Sequence, residues 1–236
     1  MINSITCPNC KTDNPFYNSI CINCKTYLRD RVYNLDLWSV INLIIESPSK
    51  AFRIIIFAEH KNFIFFILLL LCLKYLINTR FISMITLGEF QSSVGLQISY
   101  LIVLGCSVTF FLLFAYFYST IGRMNNIYIR TKDTLALIIY SQTPLLFGLI
   151  ILFVLELVVL GDYLFSLNPD PFAIKGLIAY LFLILEIGII VWSMFLLFKA
   201  FQTQSQQFTF SLITTILFFV LLSSVIYFCS LFVFTI

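Results

Sequence analysis

The sequence predicts an all-α polytopic membrane protein, in which a five-transmembrane-helix bundle follows a small cysteine-rich head. Three observations lead to this prediction. The 236 residues are 61% hydrophobic and only 11% charged, whereas soluble domains are about half apolar and about a quarter charged. The apolar residues form long runs, and four of the seven cysteines lie close to the N-terminus. This composition excludes most soluble folds, and the 27 Phe and 12 Tyr exclude a disordered chain.

The head, residues 1–30, contains two C-x-x-C pairs. Cys7 and Cys10 form the first pair, and Cys21 and Cys24 form the second, with ten residues between the pairs. This spacing indicates a tetrahedral Zn²⁺ site with four sulfur ligands, and such a closed shell is structural rather than catalytic. We therefore predict a zinc ribbon with Zn²⁺ as cofactor. The alternative, a pair of disulfides, requires an oxidising compartment.

The connector, residues 35–61, is predicted to form amphipathic interfacial helices. Leu37, Val40 and Ile44 recur at helical spacing on one face of the first helix. Pro48 is favoured in the first turn of a second helix. The apolar faces are equally typical of helices that lie along the inner leaflet and of helices that pack against the membrane domain.

Five apolar runs between residues 62 and 236 predict the membrane domain. A spanning helix needs roughly 20 apolar residues to cross about 30 Å of hydrocarbon. Charged or turn residues separate the runs. The predicted spans are about 62–77, 94–118, 134–160, 173–198 and 211–236.

Lysine and arginine are distributed unequally between the two sides of these spans. Eleven of them belong to the head, the connector and the loops on the same side, whereas the other side holds only Arg80 and Lys175, and Lys74 lies within the first span. The positive-inside rule therefore predicts a multi-pass protein with a cytoplasmic N-terminus and an extracytoplasmic C-terminus. The reducing cytoplasm favours metal binding over disulfides in the head.

Three ionisable side chains, Lys74, Glu156 and Glu186, lie inside the predicted spans and are candidate functional groups because charge is costly in hydrocarbon. Lys74 and Glu156 each lie about 7 Å from the outer ends of their predicted spans, so we expect them to form an ion pair. Glu186 lies about 20 Å from the outer side. We expect it to face a thin polar layer that joins the helices or carries protons or solute. The hydroxyl side chains at this depth are Ser107, Thr109, Ser223 and Ser224.

The sequence contains no catalytic motif. His60 is the only histidine, which excludes an H-E-x-x-H metal site. The sequence has no G-x-S-x-G motif and no phosphate-binding glycine loop. We therefore expect a protein that is not an enzyme. The net charge of +3 does not indicate a nucleic acid partner.

The order of these parts resembles the Yip family of Rab-interacting membrane proteins, in particular the bacterial members that carry a zinc ribbon before the membrane domain. Residues 46–53, which lead into 58–62, look like the entry to the first span in those members. Tyr140, followed by Pro144, resembles the family's Tyr-Ser and Pro, and Trp192 is similarly placed in the fourth span. The resemblance covers the layout of residues 35–236 but only short runs of sequence. Ile139 departs from the Gly of eukaryotic members.

The resemblance implies a non-catalytic integral membrane adaptor or membrane-organising protein with a Yip domain. Its expected partners are the lipid bilayer and a cytoplasmic protein recruited by the ribbon, and self-association is a further option. The ribbon suggests a bacterial inner membrane. The alternative function is a small transporter or channel that uses the intramembrane carboxylate of Glu186.

Overall fold

Helices dominate the computed structural model, which describes residues 3–87, 95–166 and 168–235. In the head, β1 (Ser4–Thr6) pairs antiparallel with β2 (Asp13–Pro15). The connector forms α1 (Leu37–Glu46) and α2 (Pro48–Phe57). The later helices are α3 (Ile64–Leu87), α4 (Leu96–Met124), α5 (Thr131–Ser141), α6 (Thr143–Phe147), α7 (Phe153–Leu160), α8 (Pro171–Ser205) and α9 (Phe208–Thr235).

Five stretches of the described chain are long and apolar enough to cross a membrane. They are Ile64–Met84, Leu96–Met124, Thr131–Phe165, Pro171–Ser205 and Phe208–Phe234. In an 18-residue apolar window of each stretch, the protein buries only 22% to 44% of the residues, which leaves the other residues of the window available to lipid. The predicted fold class, a polytopic all-α membrane protein with five spanning helices and a small four-cysteine head, is confirmed.

The first spanning helix is longer than the apolar run that predicts it. The sequence suggests a span that ends near residue 77, but α3 continues to Leu87. Its continuation includes Thr79, whose hydroxyl donates to the Leu76 carbonyl at 2.7 Å, and Arg80, whose guanidinium carbon lies 4.9 Å from the centre of the Phe165 ring. Both polar side chains thus find partners inside the protein, and the helix does not end at them.

The third span is interrupted close to Pro144. α5 ends at Ser141, and α6 begins at Thr143 with Pro144 in its first turn. Proline lacks the N–H that a continuous helix would need at this position. A five-residue π-helix, Gly148–Leu152, then connects α6 to α7. A second irregularity lies in α8, where Lys175 has non-helical backbone angles.

The chain divides into two compact units. Unit 1 comprises Met1–Phe65, Phe111–Ser141 and Phe195–Leu217, and unit 2 comprises Phe66–Phe110, Gln142–Met194 and Phe218–Ile236. The eleven lysines and arginines that the sequence assigns to the N-terminal side all belong to unit 1. The other three, Lys74, Arg80 and Lys175, belong to unit 2. The segments that were predicted to share one side of the membrane are therefore collected in one unit.

The second connector helix is part of the protein core of unit 1. α2 packs against α5, and its side chains Phe52, Ile55 and Ile56 are fully buried. Protein packing therefore accounts for the apolar face of α2. In α1, Val40 and Ile44 are buried, whereas Trp38 is 73% exposed.

A buried ion cluster lies where α2, the start of α5 and the entry to α3 meet in unit 1. The Asp133 carboxylate lies 3.1 Å from Lys61 Nζ and 2.7 Å from Arg130 Nε. The side chains of Lys61 and Asp133 are 6% and 1% exposed. Burial lowers the pKa of the Lys61 ammonium, and the Asp133 charge opposes part of that shift. Lys61 also donates to the Ile55, Ile56 and Ala58 carbonyls at the end of α2.

Asp133→Asn is expected to destabilise the protein by about 3–5 kcal/mol, because it leaves Lys61 buried without its counter-charge. Chemical unfolding in mild detergent would measure the loss as a shift in the midpoint. Asp30→Asn is the matched control, since the Asp30 side chain is exposed, and among the described residues only the Asp30 backbone carbonyl accepts a hydrogen bond. Equal midpoints for Asp133→Asn and wild type would show that the cluster does not stabilise the fold.

Candidate functional site

Both C-x-x-C turns in the head have the same backbone geometry. In the first turn, the Cys7 N–H donates to the Thr12 carbonyl and the Lys11 N–H donates to the Cys7 carbonyl, each at 3.0 Å. The second turn repeats both bonds around Cys21, at 2.9 and 3.2 Å. Lys11 has a φ of 57°, and its counterpart Lys25 has a φ of 61°. The repeated sequence, C-P-N-C-K-T and C-I-N-C-K-T, thus folds twice into one local structure.

The four predicted ligands are brought together. Cys7 Sγ lies 3.5 Å from Cys24 Sγ, and Cys10 Sγ lies 3.5 Å from Cys21 Sγ. All four sulfurs lie within 4.8 Å of one another. A tetrahedral site with metal–sulfur distances of about 2.3 Å requires sulfurs about 3.8 Å apart, whereas a disulfide requires about 2.0 Å. The cluster therefore fits a metal ion, and it is the single such group in residues 3–87, 95–166 and 168–235.

Threonine contacts favour the thiolate form of two ligands. The Thr12 hydroxyl lies 3.3 Å from Cys10 Sγ, and hydrogen bonds from the Thr12 side chain and backbone lower the pKa of Cys10 to about 5. Thr26 makes the equivalent contacts and lowers the pKa of Cys24. A thiolate is the form of cysteine that binds metal, so these contacts favour the metal-binding form of Cys10 and Cys24.

Asn14 connects the two cysteine turns and was not singled out from the sequence. Its side chain is fully buried. Its amide nitrogen donates to the Thr12 carbonyl at 2.8 Å and lies 3.5 Å from Cys21 Sγ, and its oxygen accepts the Ile22 N–H at 2.8 Å. The buried amide thus fixes the second turn relative to the first. No local pattern distinguishes this asparagine from an exposed one in a loop.

The head is held against other segments of unit 1 by Asn3. Its amide nitrogen donates to the carbonyls of Tyr128, at 2.8 Å, and Gln204, at 3.0 Å. Its amide oxygen accepts the Tyr128 N–H at 2.7 Å. Tyr128 lies just before α5, and Gln204 lies in the last turn of α8. The four-cysteine site is therefore fixed to the ends of two membrane segments.

His60 interacts with the segment after the head through its backbone, and its imidazole is not buried. Its N–H donates to the Tyr33 carbonyl at 3.0 Å, and the Glu59 N–H donates to the Val32 carbonyl at 2.9 Å. The His60 side chain is exposed. These bonds tie the chain that follows the head to the entry of α3.

The intramembrane ion pair in unit 2 differs from the one that the sequence suggests. Lys74 Nζ lies 2.5 Å from Glu186 Oε1, whereas Glu156 does not form the expected ion pair with Lys74. The expectation took residue 77 as the end of the first span. Because α3 continues to Leu87, Lys74 lies about 20 Å from that end, which is the depth inferred for Glu186.

Gly148 provides room beside this pair. It is the first residue of the π-helix, and a Cβ at this position would lie 3.6 Å from Lys74 Cε and 3.1 Å from Ile189 Cδ1. Glu156, in α7, is buried in the same unit. Unit 2 thus contains a direct Lys74–Glu186 pair and the buried carboxyl group of Glu156.

The structure does not bring the predicted polar layer together. Ser107 is buried, beside Cys72, but Thr109, Ser223 and Ser224 are exposed on their helices. The Ser224 hydroxyl donates to the Val220 carbonyl of its own helix at 2.9 Å. A serine that bonds one turn back needs no partner on another helix. Depth alone therefore did not predict which way these hydroxyls face.

The residues that resemble the Yip pattern have structural contacts. Tyr140 is fully buried, and its hydroxyl donates to the Asn62 carbonyl in unit 1. Pro144 lies in the first turn of α6. In unit 2, the Trp192 ring stacks on Phe147, with centroids 6.4 Å apart. In this structure, Tyr140, Pro144 and Trp192 therefore have roles in packing and helix geometry.

Comparisons with protein-family models, with curated proteins and with solved structures find no match to this chain.

Cys21→Ser is expected to remove nearly all bound metal, since three sulfurs cannot complete the tetrahedral shell. Elemental analysis of protein purified in detergent should find about one ion per wild-type chain and close to none in the variant. Cys106→Ser is the control, because Cys106 is an exposed cysteine in α4. A wild-type chain without metal, or equal metal contents in wild type and Cys21→Ser, would contradict the assignment.

Proposed function

We propose that this chain is a non-catalytic integral membrane adaptor or membrane-organising protein, similar to the Yip family, whose head recruits a cytoplasmic protein partner. The observation that supports this most directly is the attachment of the four-cysteine head through Asn3 to Tyr128 and Gln204. Because the head is held at the ends of membrane segments, a partner bound to it would be kept at a fixed distance from the bilayer. A flexible tether would not provide such positioning.

The metal in this proposal is Zn²⁺. Four thiolates in a tetrahedral arrangement are typical of structural zinc sites. Cys7 and Cys21 are almost fully buried, and the four sulfurs leave no position for a substrate. A segment of about 30 residues is too small to fold on a hydrophobic core alone, so the ion would supply much of the folding free energy of the head.

The proposed orientation places the head in the cytoplasm and the C-terminus on the extracytoplasmic side. Support comes from the eleven lysines and arginines of unit 1 and from the five spans. The proposed location is the bacterial inner membrane, where a cytoplasmic head would remain in a reducing environment.

The head offers apolar side chains for contact with a protein. Ile22 lies at the tip of the second cysteine turn and is 59% exposed, and Tyr27 is 66% exposed. Lys11 and Lys25 are exposed beside the turns. Aromatic and aliphatic side chains with neighbouring charges are typical of protein interfaces.

Replacing both Cys21 and Cys24 by Ser is expected to abolish capture of the partner, because the head would lose its metal. Ile22→Ser should weaken capture roughly tenfold while leaving the metal content unchanged. Quantitative affinity purification of the full chain in detergent would compare the proteins recovered with each variant. Lys50→Ser, an exposed position in α2 outside the head, serves as the control.

The adaptor proposal would be contradicted if the same proteins were recovered with wild type and with the double cysteine variant. It would also be contradicted if Lys50→Ser reduced recovery as strongly as Ile22→Ser, since the head would then have no specific role.

A second candidate function is a small transporter or channel, and the intramembrane ionisable groups of unit 2 favour it. Lys74 and Glu186 form a close pair, and Glu156 is a further buried carboxyl group. Intramembrane ionisable groups are typical of proton and solute pathways. The π-helix that begins at Gly148 adds an irregular helix geometry that occurs often at functional sites. Under this proposal, Glu186 would exchange Lys74 for a proton or a solute cation.

For this second function, Glu186→Gln is expected to abolish a proton- or solute-dependent flux in liposomes, because the neutral amide can no longer bind the transported cation. The flux would be followed with a pH-sensitive dye enclosed in the vesicles. Asp162→Asn, at an exposed acid in the short helix after α7, is the matched control. A flux that is absent from wild type, or unchanged in Glu186→Gln, would exclude the candidate.

A further inference from the structure

Three arginines from two separate segments line one cavity in unit 1. The cavity has a volume of about 130 Å³. Arg29 and Arg31 belong to the segment that follows the cysteine turns, and Arg130 is the residue immediately before α5. Glu59 is the one carboxylate among the lining residues, and Asn18 and Ser19 add neutral polar groups. We call this space the arginine cavity.

The charge of the arginine cavity is not balanced by the protein. Arg31 Nε lies 4.0 Å from Glu59 Oε1, at the limit of an ion pair. Arg130 pairs with Asp133, but the same carboxylate also forms an ion pair with Lys61. Within the described part of the chain, no carboxylate forms an ion pair with Arg29. The cavity therefore carries an excess of positive charge that an anion would neutralise.

Arg29 is held in place but incompletely hydrogen-bonded. Its two terminal nitrogens donate to the carbonyls of Asp30, at 3.1 Å, and Tyr17, at 2.5 Å. Its Nε is buried and has no hydrogen-bond partner among the described residues. Burial, and then the charge of Arg130, lower the pKa of the Arg29 guanidinium. The two cations therefore repel each other in the free protein, and an unsatisfied buried donor is unfavourable.

Two of the guanidinium groups also lie over aromatic rings, which hold them in place. The Arg29 guanidinium carbon lies 3.8 Å from the centre of the Phe57 ring, and that of Arg130 lies 4.2 Å from the centre of the Tyr17 ring. Stacking of this kind fixes the planar donor fork before a ligand arrives. Little conformational entropy would then be lost when an anion is bound.

We propose that the arginine cavity binds a phosphate group. Guanidinium groups recognise phosphate with paired, charge-assisted hydrogen bonds. The volume of about 130 Å³ equals that of roughly four water molecules, which accommodates a phosphate group but not a complete nucleotide. The ligand's charge matches the excess positive charge that Glu59 and Asp133 leave.

Two sources could supply this phosphate group. Glu59 lies shortly before α3, and Arg130 immediately precedes α5, so both lining residues lie at the start of spanning helices. This is where lipid headgroups are found, and an anionic lipid could supply the phosphate. A soluble phosphate or phosphomonoester has the same recognisable chemistry.

The test uses the full, metal-loaded chain in a neutral detergent, with binding measured by isothermal titration calorimetry. One arm adds inorganic phosphate, and the other adds phosphatidylglycerol in mixed micelles. Wild type should bind in at least one arm, and Arg29→Gln and Arg31→Gln should each weaken that binding roughly tenfold through loss of a charge-assisted contact. Arg53→Gln is the control, since Arg53 is exposed in α2 and does not line the cavity.

Binding in the phosphate arm would identify a soluble ligand, and binding in the lipid arm alone would identify a headgroup. Absence of binding in both arms would overturn the proposal, as would equal weakening by Arg53→Gln and Arg31→Gln. Arg31 is exposed, whereas Arg29 is partly buried, so Arg31→Gln keeps the test decisive if Arg29→Gln does not fold. The isolated chain is used, so the result is independent of the capture of a protein partner.

Discussion

The carboxylate of Asp133 is the interaction on which the organisation of unit 1 depends. It lies at the start of α5 and is paired with Lys61 and Arg130. Lys61 in turn binds the last carbonyls of α2, and Arg130 stacks on Tyr17 of the head. One buried negative charge therefore connects the connector, the third span and the head. The side chains of Asp133 and Lys61 are both buried, so removing either charge would leave the other one buried without a partner, which is strongly unfavourable.

The head and the membrane segments are stabilised by different physical means. The head has too few residues for an apolar core, and its two turns meet at four cysteines and the buried amide of Asn14. The spanning helices bury only part of their apolar surface in the protein and leave the remainder to lipid. Contacts such as those of Asn3 then connect the two kinds of structure. A few side-chain hydrogen bonds therefore connect the four-cysteine head to the ends of the spanning segments.

The features that were predicted from the sequence are those set by local spacing. Cysteines three residues apart determine the shape of each turn, and an apolar run determines a span. The partner of Lys74 could not be predicted in this way, because it depends on where α3 ends and on how α7 and α8 are placed in register. The polar residues near Arg80 ended the apolar run, although the helix continues to Leu87. Asn3 and Asn14 likewise act through contacts that no sequence period reveals.

The basic residues of unit 1 are not equivalent to one another in the folded protein. The positive-inside rule concerns the chain during insertion, when each lysine or arginine counts alike. In the folded protein they differ, because Lys61 is buried on Asp133, Arg29 and Arg130 stack on aromatic rings, and Arg53 is exposed. The charge asymmetry is therefore not simply a positive surface that faces anionic lipid. Part of it is gathered around one small cavity, where a single bound anion would compensate several cations at once.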